Sequence, residues 1–112
     1  MTTDTIVVLC TCPDADTAQT LATTLVARRL AACVNLLPGI TSIYRWQGAV
    51  ESADEHLLVI KTRAPLYPAL ETALTELHPY EVPEVIALPI VQGLPAYLNW
   101  VTEEIPASGE GS

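Results

Sequence analysis

Thr5 to Cys12 is rich in β-branched residues and apolar on both faces, with Ile6, Val8, Cys10 and Cys12 on one side and Val7 and Leu9 on the other. That pattern predicts a strand buried on both sides. Pro13 ends it, and Asp14 follows as a helix N-cap, with Asp16 near the positive helix end. The helix is expected to run to about Leu30. Ala18, Leu21, Ala22, Leu25 and Val26 recur at helical spacing as its buried stripe, and Arg28 and Arg29 fall in its last turns, where the dipole favours cations.

Ala31 to Arg63 reads as one long hairpin. Its first strand runs from Cys33 through Ile40 to Gln47, a tight connection forms at Gly48, and the return strand starts at about Ala53 and ends at Arg63. Pro38-Gly39 interrupts the first strand. Proline cannot donate to a ladder and glycine suits a bulge, so this is an edge strand with a bend. Beyond the bend Ile40, Ser42, Tyr44 and Trp46 share one face. The acidic stretch Glu51 to Glu55 reads as solvated, whereas Leu57-Leu58-Val59-Ile60 reads as a central strand.

Pro65 or Pro68 opens a second helix with Leu66, Leu70, Ala73, Leu74 and Leu77 as its stripe. His78-Pro79 stops it, because a residue before proline avoids the helical region. His78 to Glu84 is then a stiff loop, and Val85 to Ile90 a fourth strand that Pro89 marks as an edge. Pro95 starts a third helix, with Leu94, Tyr97, Leu98, Val101 and Ile105 on one side. A single domain over 1–105 and a disordered tail over 106–112 are expected.

The order β-α-β-β-α-β plus a terminal helix is that of an α+β, ferredoxin-like sandwich. The two proline-free strands take the centre and the other two the edges, which gives the order 4-1-3-2. Right-handed crossovers put the two main helices on one side of the sheet. The other side is also apolar, and the short terminal helix covers only part of it. A soluble monomer rarely exposes such a face, so a homo-oligomer is expected.

Composition narrows the function classes. The chain has 112 residues, 50% of them hydrophobic, with five basic and thirteen acidic residues and a net charge of -8. That charge repels nucleic acid and anionic membrane, and no apolar run is long enough to span a bilayer. No basic region precedes the first apolar run, so a cytoplasmic protein is expected. Three cysteines, an odd number, exclude full disulfide pairing within the chain and fit reduced thiols. No nucleophilic triad, phosphate-binding glycine loop, HExxH or EF-hand pattern occurs, and no enzymatic activity is expected.

Four stretches, in this order, carry a resemblance over Ile6 to about Ile105. They are Val7-Val8-Leu9-Cys10-Thr11 with Pro13-Asp14; Leu30-Ala31-Ala32-Cys33-Val34-Asn35 with Leu37-Pro38-Gly39; Thr41-Ser42-Ile43-Tyr44-Arg45-Trp46-Gln47-Gly48; and His78-Pro79-Tyr80-Glu81-Val82-Pro83-Glu84. The chain resembles the CutA family of divalent-cation tolerance proteins. The resemblance implies a ferredoxin-like homotrimer with its sheets around a three-fold axis and extended hairpins that pair between subunits. It also implies tolerance to copper and other divalent metal ions, without an established enzymatic activity.

It singles out Cys10 and His78 as metal ligands. Thiolate suits Cu(I), and neutral imidazole suits copper or zinc. Cys12, two residues along the same face, brings a second sulfur. Packing is the competing reading for Cys10, since free cysteine is commonly core. For His78 it is an interaction with the last helix carbonyls. Some relatives carry a second histidine where this chain has Leu77, which weakens a site built on paired histidines. Lys61, Tyr80, Glu81 and Glu84 are candidates for a polar cleft between subunits, or for an interfacial set of ion pairs and hydrogen bonds. Tyr44 and Trp46 read as interface anchors, Cys33 as core, and His56 as structural or exposed. Assembly in the manner of the PII signalling trimers gives the alternative of a small-ligand sensor. A scaffold trimer without ligand is the third reading.

Overall fold

A computed structural model of the chain describes residues 3–106. Apart from Pro106, the expected tail lies outside the described residues. The elements run β1 (Thr5–Cys12), α1 (Ala15–Ala27), β2 (Cys33–Trp46), β3 (Ala49–Arg63), a 3₁₀ turn (Ala64–Leu66), α2 (Tyr67–Leu77), β4 (Ile86–Pro89) and α3 (Pro95–Glu104). They form one antiparallel sheet in the order β2-β3-β1-β4. This is the ferredoxin-like α+β arrangement, with the proline-free strands at the centre.

β1 pairs with β3 along its whole length, from Thr5↔Arg63 to Cys12↔His56. Residues opposite one another share a face, so Val8, Cys10 and Cys12 lie with Ile60, Leu58 and His56. That face packs against α1 and α2 through Ala18, Leu21, Leu25, Leu70, Ala73 and Leu74. The other face carries Val7, Leu9, Leu57 and Val59, all half-buried. α3 covers only its Arg63 end. There Val101 and Ile105 pack with Leu66, and the Arg63 guanidinium bonds Asp4 at 2.9 Å and the Ile105 carbonyl at 3.2 Å. On the uncovered part, Ile86 and Leu88 of β4 are 51% and 48% exposed.

Local chemistry explains where the elements differ from expectation. α1 stops at Ala27, short of Leu30. Arg29 takes a left-handed φ of 59°, while its amide bonds the Val26 carbonyl and the Leu30 amide bonds that of Leu25. This is a Schellman ending with arginine where glycine is usual, so no glycine marks the stop. Val26 then faces outward at 43% exposure and is not part of the buried stripe. Leu77 of α2 is likewise exposed. Cys33 opens β2 and is half-buried, at the sheet edge rather than in the core.

The hairpin is longer than expected. Gln47 and Gly48 both have positive φ, 49° and 84°, a two-residue turn of the primed kind whose twist suits a hairpin. β3 therefore begins at Ala49, and the acidic stretch 51–55 is strand. Pro38-Gly39 forms the expected bulge between Leu37↔Leu57 and Ile40↔Glu55, with Gly39 at φ 74°. The extra residue inverts the side-chain parity of β2. It puts Ile40, Ser42, Tyr44 and Trp46 on the same face as Leu37, where they lie over Glu55 and Glu51.

Leu74 is fully buried between α2 and the sheet. Leu74→Ala is expected to lower the unfolding free energy by about 2–5 kcal/mol, measured by urea denaturation. Gln19→Ala, on the exposed side of α1, should stay within about 0.5 kcal/mol of the parent.

Candidate functional site

Two arrangements of chemistry lie back to back on the central strands. The first is on the helix-covered face. Cys10 and Cys12 are two residues apart on β1, so both sulfurs point the same way. His78, at the extended C-cap of α2, meets them from above. The ligating atoms of Cys10, Cys12 and His78 all lie within 4.8 Å of one another. The cysteines are fully buried and His78 is 7% exposed.

The ring of His78 is fixed at both nitrogens. Nδ1 accepts the Tyr80 amide at 3.1 Å, so it carries the lone pair. Nε2 therefore bears the hydrogen and donates to the Thr11 carbonyl at 2.8 Å. A ligating histidine takes the same form, with its second N–H on a carbonyl. The thiols behave as a pair. The hydrogen bond shared with Cys12 raises the Cys10 pKa far above the ordinary thiol range, with burial and the negative Cys12, Glu84 and Glu55 adding to it. The same hydrogen bond holds Cys12 down, against burial and the charge of Glu55. The two shifts run in opposite directions, as expected of two thiols that share one hydrogen bond. Two soft sulfurs and an imidazole fit a thiophilic metal ion.

The second arrangement is a cleft of about 930 Å³ on the open face, between the far half of the hairpin and the loop 79–84. Tyr44, Trp46 and Tyr80 give it aromatic walls; Glu51, Glu55, Glu81 and Glu84 give it carboxylates. Glu55 is 7% exposed and accepts the Tyr80 hydroxyl at 2.8 Å. Burial, and then the bond to Glu55, raise the Tyr80 phenol pKa.

Of the residues singled out in the sequence, Cys10 and His78 come together, as do Tyr44, Trp46, Tyr80, Glu81 and Glu84. Lys61 stands apart within this chain. Its ammonium donates to the Asn35 side-chain oxygen further along the sheet. Glu55 was missed, because charge made 51–55 look solvated. Its parity with Leu57 and Val59 was the available signal.

The residues match known proteins closely. The family model for the CutA1 divalent ion tolerance protein matches residues 6–104. The chain belongs to the CutA1 family. It is 53% identical over 97 residues to the divalent-cation tolerance protein CutA of Thermus thermophilus, covering 87% of this chain and 94% of that protein. It is also 53% identical over 102 residues to mouse protein CutA, covering 88% of this chain but 58% of the mouse protein, so it spans little more than half the length of that relative. The crystal structure of CutA from Xylella fastidiosa superposes with a TM-score of 0.90 at 48% identity, covering 92% of this chain and 99% of that chain.

Tyr80→Phe leaves the buried Glu55 carboxylate without its donor and is expected to cost about 1–3 kcal/mol of stability. Because folding raises the Tyr80 pKa, its contribution is complete below the ordinary phenol pKa of about 10 and is lost as pH rises beyond it. Unfolding free energy followed from pH 8 to above the ordinary phenol pKa should therefore fall less steeply in Tyr80→Phe than in the parent. Equal slopes would remove this role.

Proposed function

We propose that this CutA1-family chain is a metal-ion tolerance protein that binds copper or another thiophilic metal ion at Cys10 and His78, with Cys12 as a third donor. The observation that carries this reading is the buried convergence of these groups within 4.8 Å. Two cysteines and a histidine form a soft donor set, which suits copper and zinc better than magnesium or calcium. The protein acts by binding rather than catalysis. Its free thiols suit a reducing compartment, and the cytoplasm is the location proposed; recovery in another compartment would overturn that.

The working unit proposed is a homotrimer. The uncovered sheet face supports it, since Val7, Leu9, Leu57, Val59, Ile86 and Leu88 form a contiguous apolar surface. Tyr44 and Trp46 extend that surface along the hairpin and are its proposed anchors. Lys61 reaches the cleft only if a neighbouring copy supplies it.

The cleft favours a second reading, a small-ligand sensor of the PII kind. Four carboxylates among its lining residues, without a lysine or arginine, disfavour phosphorylated ligands. A thermal-shift screen distinguishes the two readings. Copper should raise the melting temperature, nucleotides should not, and stabilisation by a nucleotide alone would favour the sensor. A scaffold role predicts no response to any ligand.

In copper titrations, Cys10→Ala and His78→Ala should each weaken binding by at least about tenfold, as loss of one ligand implies. Binding equal to the parent in both variants would sink the site. Light scattering at micromolar concentration should give three times the chain mass of 12.0 kDa, and a single-chain mass would defeat the assembly.

A further inference from the structure

We propose that His56 is a fourth donor to the Cys10, Cys12 and His78 group, completing a two-thiolate, two-imidazole set for a tetrahedral divalent cation of the zinc class. The proposal rests on the metal-binding reading above and extends it to a residue outside the converged group.

Three features of the fold point to His56. First, the β1–β3 register places it directly opposite Cys12. Opposed residues have Cβ atoms about 4.5–5.5 Å apart and share a face, so His56 and the Cys12 thiol project toward the same helices. Second, its Nδ1 is the one buried side-chain nitrogen or oxygen without a hydrogen-bond partner among the described residues. Natural proteins rarely leave a buried imidazole nitrogen unmatched, and a cation at the thiols supplies what it lacks. Third, β2 bulges at this level. Leu37 pairs with Leu57 and Ile40 with Glu55, which leaves His56 without a register partner on that side. His56 lies outside the 4.8 Å group as it stands, and no hydrogen bond of its Nδ1 holds it there. Reorientation toward Cys12 therefore sacrifices none.

Charge and geometry select the ion. With both cysteines deprotonated and both histidines neutral, the set carries two negative charges. A divalent cation makes the buried site neutral, which a buried charge requires; a monovalent cation leaves it anionic. Two sulfurs and two nitrogens are a tetrahedral zinc set. Binding releases the thiol protons to solvent, and no electrons move. Asp14, exposed at the head of α1, lies within electrostatic reach. Its carboxylate accepts the Thr17 amide at 2.8 Å. It gives the approach to His56 a negative charge that attracts a cation.

Cobalt(II) reports this geometry directly, because tetrahedral thiolate coordination gives intense visible d–d bands with a sulfur charge-transfer band. The full chain titrated with Co²⁺ and then Zn²⁺ should show both. His56→Ala should lose most of the d–d intensity while keeping the charge-transfer band, and its Zn²⁺ affinity should fall by about tenfold or more. His56→Gln, closer in size, should behave alike. Without added metal, His56→Ala should be at least as stable as the parent in urea, since the orphaned nitrogen is gone. A spectrum and affinity unchanged in His56→Ala, with binding lost in Cys12→Ala and His78→Ala, would overturn the fourth donor and leave the three-donor site. Binding unchanged in all of these variants would overturn both. Loss of stability in metal-free His56→Ala would assign His56 a structural role instead.

Discussion

The pairing of β1 with β3 is the constraint on which the rest of the molecule depends. Eight consecutive residue pairs run from Thr5↔Arg63 to Cys12↔His56. A slip of one residue would exchange the faces of every side chain on one strand. The register held here puts Cys10 and Cys12 against α1 and α2, and Thr11 and Glu55 toward the cleft. It also aligns Arg63 with Thr5, so that the guanidinium reaches both Asp4 and the end of α3. Neither arrangement of functional groups exists without it.

The loop after α2 joins the two faces. Tyr80 uses its backbone amide on His78 and its hydroxyl on Glu55, and the His78 and Tyr80 rings lie 4.7 Å apart. One residue thus holds the imidazole on the helix side and the carboxylate on the open side. The buried Glu55 side chain accepts that hydroxyl at 2.8 Å, so its oxygen is not left without a donor. These groups sit in a chain of the CutA1 divalent ion tolerance family.

Apolar surface is distributed unevenly about the sheet. α1 and α2 cover the centre of one face, with Leu21, Leu25, Leu58, Ile60, Leu70 and Leu74 almost without exposure. α3, only ten residues long, seals one end of the other. The remainder is hydrophobic yet wet, continuous with the aromatic half of the hairpin. A fold with two helices on one side and one short helix on the other leaves an apolar surface on the open side, as at Ile86 and Leu88.

Much of this was written locally. The alternation along Thr5 to Cys12, the helical stripe from Leu66 to Leu74, the Pro38-Gly39 bulge and the prolines that exclude β2 and β4 from the centre all act over a few residues, and they determined element order, strand order and fold class. Cys10 and His78 were legible as candidates by residue type and by resemblance. What lay beyond the sequence was decided at a distance. Arg29 takes a left-handed turn because the end of α1 must meet β2, and its guanidinium bonds the Glu104 carbonyl at the far end of the chain. Glu55 is buried because a bulge on another strand and a tyrosine 25 residues away in sequence close over it. His56 faces Cys12 only because the ladder sets that register. Local periodicity determines which side of a strand a residue occupies; only the packed sheet decides what it meets there.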